Sequence, residues 1–405
     1  FQAEDGIRDV ERSRGLGDVY KRQMKSKEIR SKITDKAKLE LSIEEVEVKK
    51  PVGNEVLVKM QASPINPSDL GVLLASANPK TLKKEKASFP KVSMDIDKSH
   101  LAFFSKRLNK SLNIGNEGAG KVIDTGKDSK HLLGKIVSVS GGSCYSQYKC
   151  IDPMNCLQMK KGINSKKAAA GFINPLTVLG MVETMKIEGH SAIIHTAAAS
   201  SLGQMLIRVC NEDKINLINI VRRDDQVKLL KSMGAKIVLN STDPDFLKNL
   251  IKAIIETGAT IAFDATGGGY LTDQILTAME FATSAIEKNS PISIQGYSPY
   301  GSSAYKQVYI YGGLDPSPIT LNKAYGMNWN AGGWLLFPFL TALNEDRFEA
   351  LQNRVKKNID TTFKSSFKKT IGLEDVLSLK YIREYARTGT GSKYLINPQI
   401  RSANK

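Results

Sequence analysis

The apolar and polar positions divide the chain into two parts that differ in periodicity. In the first part, apolar and polar residues alternate over short runs at 39–48, 55–63, 121–126 and 135–141, separated by proline and glycine. Alternation of this kind is typical of half-buried β-strands. The pattern therefore predicts a β-rich, barrel-like domain.

The second part alternates continuous apolar runs with amphipathic segments. Its predicted strands lie at 191–195, 217–221, 236–240 and 260–266, and its predicted helices at 202–210, 226–235 and 246–255. Apolar strands separated by helices indicate a parallel sheet that is covered on both faces. The fold class predicted for this part is α/β, with a doubly wound parallel sheet.

The segment 191–223 predicts a βαβ unit with a turn of small residues at 196–201. The first N–H groups of a helix have no partner within the helix, so such a turn can bind a pyrophosphate when no bulky side chain intervenes. The dinucleotide fingerprint has three glycines, and here Ala198, Ser200 and Gly203 stand at those positions. Only the last glycine is kept, so the turn by itself leaves an ordinary βαβ connection equally open.

The end of the second strand of this unit bears on the choice of cofactor. NAD-binding proteins place an acidic residue there, whereas an arginine accommodates the 2′-phosphate of NADP. The strand ends in Val221, Arg222 and Arg223, and acids follow only at Asp224 and Asp225. A guanidinium group pairs well with phosphate. NADPH is therefore the predicted cofactor, and the alternative is two solvated arginines balanced by the two aspartates.

Composition narrows the class of protein. The chain has 405 residues, 41% of them hydrophobic, which suits two or three domains with sizeable cores. No run of charge-free apolar residues has the length of a membrane span, so no membrane association is predicted. The four cysteines suit a reducing compartment rather than a disulfide scaffold. The net charge of +17 is spread over scattered lysines, so a nucleic-acid partner is not predicted.

The first 23 residues are set apart from the fold. They resemble the translation of sequencing-adapter read-through, and their basic and acidic residues cancel in charge. We expect an artefactual leader at 1–23 with Met24 as the natural start. The predicted location is cytoplasmic, with a mitochondrial location as the alternative if an upstream leader is missing.

Eight segments along the chain carry a resemblance to a known family. They are INPSDL (65–70), GNEGAGKV (115–122), GGSCYSQY (141–148), INPLTVLGMVE (173–183), TAAASSLGQM (196–205), INIVRRDDQVKLLKSMGA (218–235), FDATGGG (263–269) and GSKYLINP (391–398). In this order they resemble the medium-chain dehydrogenase/reductase superfamily, in its zinc-free branch of quinone oxidoreductases and 2-enoyl thioester reductases. The resemblance implies a GroES-like β-rich catalytic domain at 24–173, completed by 341–405. It also implies a Rossmann NADPH-binding domain at 174–340.

The resemblance also implies where the chemistry lies. Asn66, Asn174 and Thr177 are expected to orient the substrate as catalytic residues, and Tyr148 is a weaker candidate whose alternative is a core tyrosine. As bare residues, Asn174 is equally well an N-cap and Thr177 a core-facing threonine. The residues expected to bind the cofactor are Ala198, Ala199, Ser200, Ser201, Leu202, Gly203, Arg222, Arg223, Thr266, Gly267, Tyr311, Gly312 and Gly313.

No metal site is predicted. Zinc-dependent relatives place a cysteine in the INPSD loop and a histidine in the GNEG turn, whereas this chain has Asn66 and Asn116 there. Amide side chains are poor zinc ligands. The cysteines lack a short paired spacing, and His195 and the other three histidines are expected to be incidental strand-end or surface residues.

The predicted activity is hydride transfer from NADPH to a quinone or an α,β-unsaturated carbonyl compound as the small-molecule substrate. The first alternative is reduction of an enoyl thioester. The family's tyrosine after the INPSD loop is missing from 71–80, which argues against that alternative. The second alternative is a non-catalytic NADPH- or RNA-binding protein on the same fold.

Three further segments lead to expectations about surfaces. Residues 325–337 follow the family's pattern for a sheet-edge strand used in dimer formation, so a homodimer is expected. Residues 80–111 form a lysine-rich insertion, expected as a surface excursion near the substrate entrance, with a disordered insertion as the alternative. A second insertion at 284–307 is expected to be a lid or an interface, with a surface loop as the alternative.

Overall fold

The computed structural model describes residues 24–288, 299–386 and 393–400. Within these, unit 1 comprises 24–158, 369–386 and 394–400, and unit 2 comprises 159–288, 299–368 and 393. The leader expected at 1–23 and the part of the second insertion at 289–298 lie outside the described residues.

The strands are, in chain order, β1 (Lys25–Ile33), β2 (Lys38–Glu47), β3 (Val56–Pro64), β4 (Asn78–Lys84), β5 (Lys91–Asp95), β6 (Ser111–Asn113), β7 (Glu117–Thr125), β8 (Ile136–Ser140), β9 (Tyr148–Ile151), β10 (Cys156–Gln158), β11 (Ala192–His195), β12 (Asn216–Val221), β13 (Ile237–Asn240), β14 (Ile261–Asp264), β15 (Lys306–Ile310), β16 (Trp329–Gly333), β17 (Lys369–Ile371) and β18 (Tyr394–Ile396).

The α-helices are Pro67–Leu73, Ser165–Ala168, Ile173–Ile187, Ser201–Asp213, Asp224–Ser232, Phe246–Thr257, Leu271–Lys288, Leu336–Ala342, Glu345–Asn358, Leu373–Val376 and Leu379–Tyr385. Short 3₁₀ helices are Lys98–Arg107, Lys127–Leu132 and Pro153–Asn155.

Unit 1 is built from two sheets. One has the order β4-β5-β2-β1-β6, and the other has the order β10-β8-β7-β3-β18-β17, with β9 also paired to β3. Leu39, Leu41 and Ile43 alternate with less buried positions along β2, as the sequence pattern predicts. They pack into a core that also takes in side chains near the C-terminus, such as Ile382 and Ile396. Residues 369–386 and 394–400 thus belong to unit 1, whereas 341–368 belong to unit 2.

The insertion at 80–111 is ordered β and 3₁₀ structure. Strands β4 and β5 pair antiparallel and β5 pairs with β2, so the insertion extends a sheet of unit 1. The alternative of a disordered insertion is therefore wrong. Arg107, at the end of the insertion, donates to the carbonyl oxygens of Gly71 (2.9 Å) and Val72 (3.1 Å). A cation at these last carbonyls stabilises the end of the helix Pro67–Leu73.

Unit 2 contains a six-stranded parallel sheet of order β13-β12-β11-β14-β15-β16. Its first five strands in the chain, β11 to β15, include the four that the sequence predicts. This order, in which the direction of winding reverses beside β11, is that of a doubly wound sheet with a ligand crevice at its carboxyl edge. All four residues of β11 and of β14 are buried, which explains their continuous apolar pattern.

One apolar stretch in unit 2, Ser165–Ile187, is long and apolar enough to cross a membrane by length and composition alone. However, 83% of the relevant window is buried inside the protein. A core helix of a folded domain gives the same signal, and here the helix Ile173–Ile187 buries Leu176, Leu179 and Val182.

The described part of the second insertion is tied to the helix Leu271–Lys288 by a buried ion pair. The Nζ atom of Lys306 lies 2.8 Å from Oε2 of Glu280, and the lysine side chain is fully buried. Ser302 adds a backbone N–H (2.8 Å) and a hydroxyl (2.8 Å) to the same carboxylate. These contacts fix 299–307 to the body of unit 2.

Candidate functional site

The turn after β11 is shaped by close packing against the following helix. Ser200 is the N-cap of the helix Ser201–Asp213, and its Oγ atom accepts a hydrogen bond from the Gly203 N–H at 3.1 Å. A Cβ atom on Gly203 would lie 2.1 Å from the carbonyl oxygen of Ala198. Gly203 therefore plays the packing role of the last fingerprint glycine, because no side chain fits there.

The first turn of the helix Ser201–Asp213 lies at the carboxyl edge of the sheet and has hydrogen-bond donors of its own. The N–H groups of Ser201 and Leu202, at the first two helical positions, have no partner within the helix. The Ser200 hydroxyl accepts from Gly203, so its own hydrogen stays available as a donor. Ala197 holds a left-handed φ of 48°, a conformation that costs an alanine about 1 kcal/mol. Only small side chains thus stand beside these donors, as an anion cradle requires.

The two arginines after β12 are in different environments. Arg223 forms a bidentate pair with Asp225, with Nε at 2.9 Å from Oδ1 and Nη2 at 3.1 Å from Oδ2. The Asp225 hydrogen bond and charge raise the pKa of Arg223. Arg222 is exposed, and its guanidinium makes no hydrogen bond within the described residues. Its charge contributes, after the bonds from Ser317, to the lowered pKa of Asp315.

A buried carboxylate that the sequence interpretation missed holds the ends of two strands together. Asp264, the last residue of β14, is fully buried. Its Oδ1 atom accepts from the Thr196 hydroxyl (2.7 Å) and the Thr266 N–H (2.8 Å). Its Oδ2 atom accepts from the Thr272 hydroxyl at 2.9 Å. The only sequence signal is an acid at the end of an apolar strand, before small residues.

The loops after β14 and β15 are joined through glycines. A Cβ atom on Gly267 would lie 2.1 Å from the carbonyl oxygen of Gly312, and one on Gly312 would lie 2.7 Å from that of Ala265. The Leu314 N–H donates to Ala265 (3.2 Å) and the Asp315 N–H to Thr266 (2.9 Å). Backbone therefore approaches backbone where the sequence interpretation placed the cofactor-binding residues Thr266, Gly267, Gly312 and Gly313.

His195 and Tyr311 form a stacked pair at the same edge of the sheet. The Nε2 atom of His195 lies 2.7 Å from the Tyr311 hydroxyl, and the ring planes are 22° apart. Burial lowers the pKa of His195 to about 3, so its imidazole is neutral. Burial also raises the pKa of Tyr311 above its ordinary value. The expectation that His195 is an incidental strand-end residue does not account for this pairing.

The two remaining substrate candidates in unit 2 lie in the first turns of the helix Ile173–Ile187. Asn174 is half-buried, and its side chain makes no hydrogen bond within the part of the chain that the structure describes. The N-cap is Phe172, so Asn174 is not the cap. The buried Thr177 donates its hydroxyl to the Ile173 carbonyl at 2.8 Å, so it offers a ligand lone pairs rather than a hydrogen.

The candidate site of unit 1 is a buried polar network around the start of the helix Pro67–Leu73. The Asn66 Nδ2 atom donates to Oε1 of Glu117 at 2.9 Å. Asp69 accepts from the backbone N–H groups of Asn66 (2.8 Å) and Asn116 (2.9 Å). Tyr145, fully buried, donates its hydroxyl to Asp69 at 2.9 Å. The loop is thus held rigidly by side chains that come from three separate segments.

Within this network one atom is unsatisfied. Asn66 is 4% exposed, and its Oδ1 atom has no hydrogen-bond partner among the described residues. One of the two amide hydrogens of Asn66 is committed to Glu117, and its Oδ1 atom is an acceptor that no described residue uses. Burial, followed by the charge of Asp69, raises the pKa of Tyr145 far above its ordinary value. Tyr145 is therefore a structural donor to Asp69.

The positions that hold zinc in zinc-dependent relatives carry other contacts here. Asn116 donates to the Ser68 hydroxyl at 3.0 Å. Within the described residues there is no group of three or more His, Cys, Asp or Glu side chains that could hold a metal ion. Burial raises the pKa of the Cys144 and Cys156 thiols to about 12, so both remain protonated. Tyr148 lies in β9, half-buried.

The structure thus brings the predicted cofactor residues together along one edge of one sheet. The segments 198–203, 222–223, 266–267 and 311–313 begin within three residues of the ends of β11, β12, β14 and β15, respectively. Asn174 and Thr177 belong to the same unit, whereas Asn66 belongs to unit 1. The sequence interpretation missed Asp264 and the partnership of His195 with Tyr311.

Comparisons with known proteins point to reductases. No protein-family model matches the chain. It is 26% identical over 287 residues to a mitochondrial enoyl-[acyl-carrier-protein] reductase of Caenorhabditis elegans, covering 63% of this chain and 73% of that protein. It is 26% identical over 297 residues to the rat (Rattus norvegicus) protein of the same name, covering 71% and 65%. For a similar mouse protein the match spans only about half the relative's length, 51%.

Solved structures show the same fold. A provisionally assigned NADPH:quinone reductase from Mesorhizobium loti superposes with a TM-score of 0.67 at 22% identity, covering 92% of this chain and 98% of that one. A complex of Etr1p with NADP and crotonyl-CoA gives a TM-score of 0.62 at 18% identity, covering 92% and 100%. The predicted α/β fold, with a GroES-like and a Rossmann part, is confirmed. The predicted resemblance to quinone and enoyl reductases is confirmed as well.

Proposed function

We propose that this protein is an NADPH-dependent oxidoreductase that transfers hydride to a quinone, an α,β-unsaturated carbonyl compound or an enoyl thioester. The observation that carries the proposal is the carboxyl edge of the parallel sheet in unit 2. A small-residue turn closed by Gly203, the exposed Arg222 and the interlocked glycine loops lie along this one edge. A dinucleotide bound to a doubly wound sheet runs along such an edge.

The residues present fit the phosphates of the cofactor. The donors of Ser200, Ser201 and Leu202 at the helix start suit a pyrophosphate, since only small side chains stand in front of them. Arg222 suits the 2′-phosphate, because its guanidinium is exposed and is not engaged by Asp224 or Asp225. Arg223 is the weaker candidate, because a phosphate must compete with Asp225 for it. Bound NADPH would supply the hydride.

The chain's own contribution to the chemistry is to orient the substrate and exclude water. Asn66 offers its Oδ1 atom, which has no partner among the described residues and suits a ligand hydroxyl group. Asn174 has an amide that makes no hydrogen bond among the described residues and can donate to a carbonyl, and the lone pairs of Thr177 can accept a hydrogen bond. We propose Asn174 as the group that polarises the substrate carbonyl, and Thr177 of the same unit as an acceptor for a ligand hydroxyl. For Asn66 of unit 1, taken by itself, we propose the role of accepting a hydrogen bond from a ligand.

Two classes of hydride acceptor are candidates, namely an enoyl thioester and a quinone or enone. Relatives by sequence are named enoyl-[acyl-carrier-protein] reductases, which favours a thioester substrate. Against this stands the absence of a tyrosine in residues 71–80, where the family's proton donor is expected. A quinone does not need such a donor, because its reduced oxygen can take a proton from water. The quinone or enone therefore remains the primary proposal.

The test is NADPH oxidation by the purified protein, followed at 340 nm, with 9,10-phenanthrenequinone and with crotonyl-CoA in parallel. We expect turnover of at least one acceptor, with NADPH preferred over NADH. The variant Asn174→Ala should lower kcat, whereas Asn353→Ala, an exposed asparagine of the helix Glu345–Asn358, should not. No oxidation of NADPH with either acceptor, together with salt-sensitive RNA binding, would favour the non-catalytic alternative.

We further propose that the protein forms a homodimer through β16. This strand is the edge of the sheet in unit 2, and it pairs with β15 on one side only within the described residues. Exposed apolar side chains flank it at Met327 and Leu335. An edge strand of this kind invites pairing with a second copy. Sedimentation equilibrium tests this, and Asn330→Pro in β16 should shift a dimer to monomer.

The location in the cell is a separate proposal. A cytoplasmic location is the primary expectation, and the mitochondrial relatives support the alternative. Fractionation of source cells with an antibody against the protein distinguishes them.

A further inference from the structure

The pair of His195 and Tyr311 has a surplus hydrogen that none of the described residues accepts. A neutral imidazole carries one N–H, and the phenol carries one O–H. The pair makes a single hydrogen bond, between Nε2 and the hydroxyl oxygen, so only one of these two hydrogens is used. His195 is fully buried, and its Nδ1 atom has no partner among the described residues.

Both tautomers of His195 leave one donor. If the Tyr311 hydroxyl donates to Nε2, then the hydrogen of the imidazole is on Nδ1 and has no acceptor. If Nε2–H donates to the phenol oxygen, then the Tyr311 O–H has no acceptor within the described residues. A donor on the fully buried imidazole without an acceptor costs about 1–3 kcal/mol, which favours the second tautomer. In that tautomer the free hydrogen belongs to the hydroxyl of the half-buried Tyr311, where a ligand oxygen can accept it.

The strand order places this donor in the half of the sheet where one half of a dinucleotide would bind. A doubly wound sheet consists of two mononucleotide-binding halves that meet at the switch point. Arg222 follows β12, in the half that takes the adenosine and its 2′-phosphate. Tyr311 follows β15, which lies beyond β14 on the opposite side of β11. The pair thus belongs to the half that takes the nicotinamide riboside.

Other contacts fix the position of the Tyr311 phenol ring. The Tyr311 N–H donates to the Asp264 carbonyl at 3.0 Å, and Asp264 is itself locked by its threonine partners. Behind the pair, Phe263 stacks on Tyr309 with ring centroids 5.7 Å apart. His195, Phe263 and Tyr309 are register partners on adjacent strands, so their rings lie in one row on one face of the sheet.

We propose that His195 and Tyr311 act together as a side-chain donor to an oxygen of the nicotinamide riboside half of NADPH, with His195 the positioning residue for Tyr311. The inference rests on the proposed function, because it assigns a role within the same cofactor site. This role differs from recognition of the cofactor by the backbone of Gly312 and Gly313, because it requires the side-chain rings of both His195 and Tyr311.

The test compares Tyr311→Phe with Tyr309→Phe. Both variants lose one phenolic hydroxyl from the same strand region, but the Tyr309 hydroxyl donates to Glu188 at 2.6 Å instead. Isothermal titration calorimetry measures binding of NADPH and of adenosine 2′,5′-bisphosphate, which lacks the nicotinamide half. We expect Tyr311→Phe to weaken NADPH roughly three- to tenfold and to leave the bisphosphate unchanged. Tyr309→Phe should change neither.

A second pair of variants keeps the proposal testable if Tyr311→Phe folds poorly. His195→Gln retains a hydrogen-bonding group for Tyr311 and should bind NADPH within about twofold of wild type. His195→Leu has similar bulk without that group, and should weaken NADPH by the same factor as Tyr311→Phe.

The possible outcomes distinguish a failure of this inference from a failure of the proposed function. Wild-type affinity for NADPH in Tyr311→Phe and His195→Leu would overturn the inference alone. An equal loss for NADPH and the bisphosphate, or an equal loss in Tyr309→Phe, would also overturn it, because either indicates general loosening of unit 2. If the wild-type protein binds the bisphosphate but not NADPH, or binds neither, the proposed function itself fails.

Discussion

Replacing Gly203 by alanine has two opposing effects on the free energy of unfolding. The added Cβ atom clashes with the turn after β11, whereas alanine has the higher helix propensity. The new Cβ atom would lie 2.1 Å from the Ala198 carbonyl oxygen and 2.6 Å from its carbonyl carbon. Both distances are well under the 3.0 Å below which something must shift. The obstructing atoms are backbone, so no side-chain rotation relieves the contact. The helix Ser201–Asp213 or the turn must move by roughly 1 Å.

The expected magnitude follows from two opposing contributions. Alanine stabilises a helix interior by about 1 kcal/mol relative to glycine. Overpacking costs about 1–3 kcal/mol, and a clash with backbone belongs at the upper end of that range. We therefore expect Gly203→Ala to lower the free energy of unfolding by about 2 kcal/mol. For a domain of this size that corresponds to a fall in Tm of roughly 4–8 °C.

Differential scanning calorimetry measures the change in Tm, and calorimetric titration measures NADPH binding in the same preparations. The matched control is Gly71→Ala in the helix Pro67–Leu73, where a Cβ atom meets nothing within 4 Å. We expect the control to be as stable as wild type or slightly more stable. Gly203→Ala should also bind NADPH at least tenfold more weakly, because the displaced turn carries the donors that we propose for the phosphates. A Gly203→Ala protein with wild-type Tm and affinity would refute the steric argument.

The remaining predictions concern charges and metal. Arg222→Ala should weaken NADPH roughly tenfold or more while leaving NADH nearly unchanged, and Arg223→Ala should have the smaller effect because Asp225 already holds it; equal losses for both cofactors would contradict this. Glu280→Gln leaves the buried Lys306 ammonium without its counter-charge and should cost about 3 kcal/mol in urea unfolding, against no change for the exposed Glu256→Gln. Desolvation acts to raise the pKa of Glu280, but the bonds from Lys306 and Ser302 outweigh it and the pKa is lowered. The ionised Glu280 therefore stabilises the fold at a pH above its pKa in the unfolded chain, and this contribution is lost as the pH falls through its lower pKa in the folded protein. Glu280→Gln should remove this contribution to the loss of stability in acid. Activity should survive strong chelators, and metal analysis should find no stoichiometric zinc. A loss of activity in chelator that Zn²⁺ restores would contradict the zinc-free assignment.

Much of the fold, and the local geometry of the candidate cofactor site, could be predicted from local pattern. The alternation along β2 and the continuous apolar runs of β11 and β14 are properties of adjacent residues, and each predicts its own burial. The role of Gly203 was also predictable, because it depends on a turn closed within a few residues. The same holds for the arginines after β12, which follow a strand directly.

The electrostatic partners of those residues could not be predicted in this way. Arg222 and Arg223 are adjacent and chemically equal in the sequence, and only the side-chain geometry pairs Arg223 with Asp225. Asp264 is one acid among 41 acidic residues, and its threonine partners lie 68 and 8 positions away. The insertion at 80–111 looked like a free excursion, yet Arg107 binds carbonyls 35 and 36 residues earlier.

The sequence by itself determined which segments are strands and helices, where the small-residue turn lies and which positions lack zinc ligands. These depend on periodicity and on single residues, both of which are local. Only the tertiary structure decided which strand ends are neighbours, and so which polar groups meet. His195 and Tyr311 are 116 residues apart, and they meet because β14 separates β11 from β15 by a single strand. A hydrogen bond requires a distance near 3 Å, which no pattern along the chain specifies across that separation.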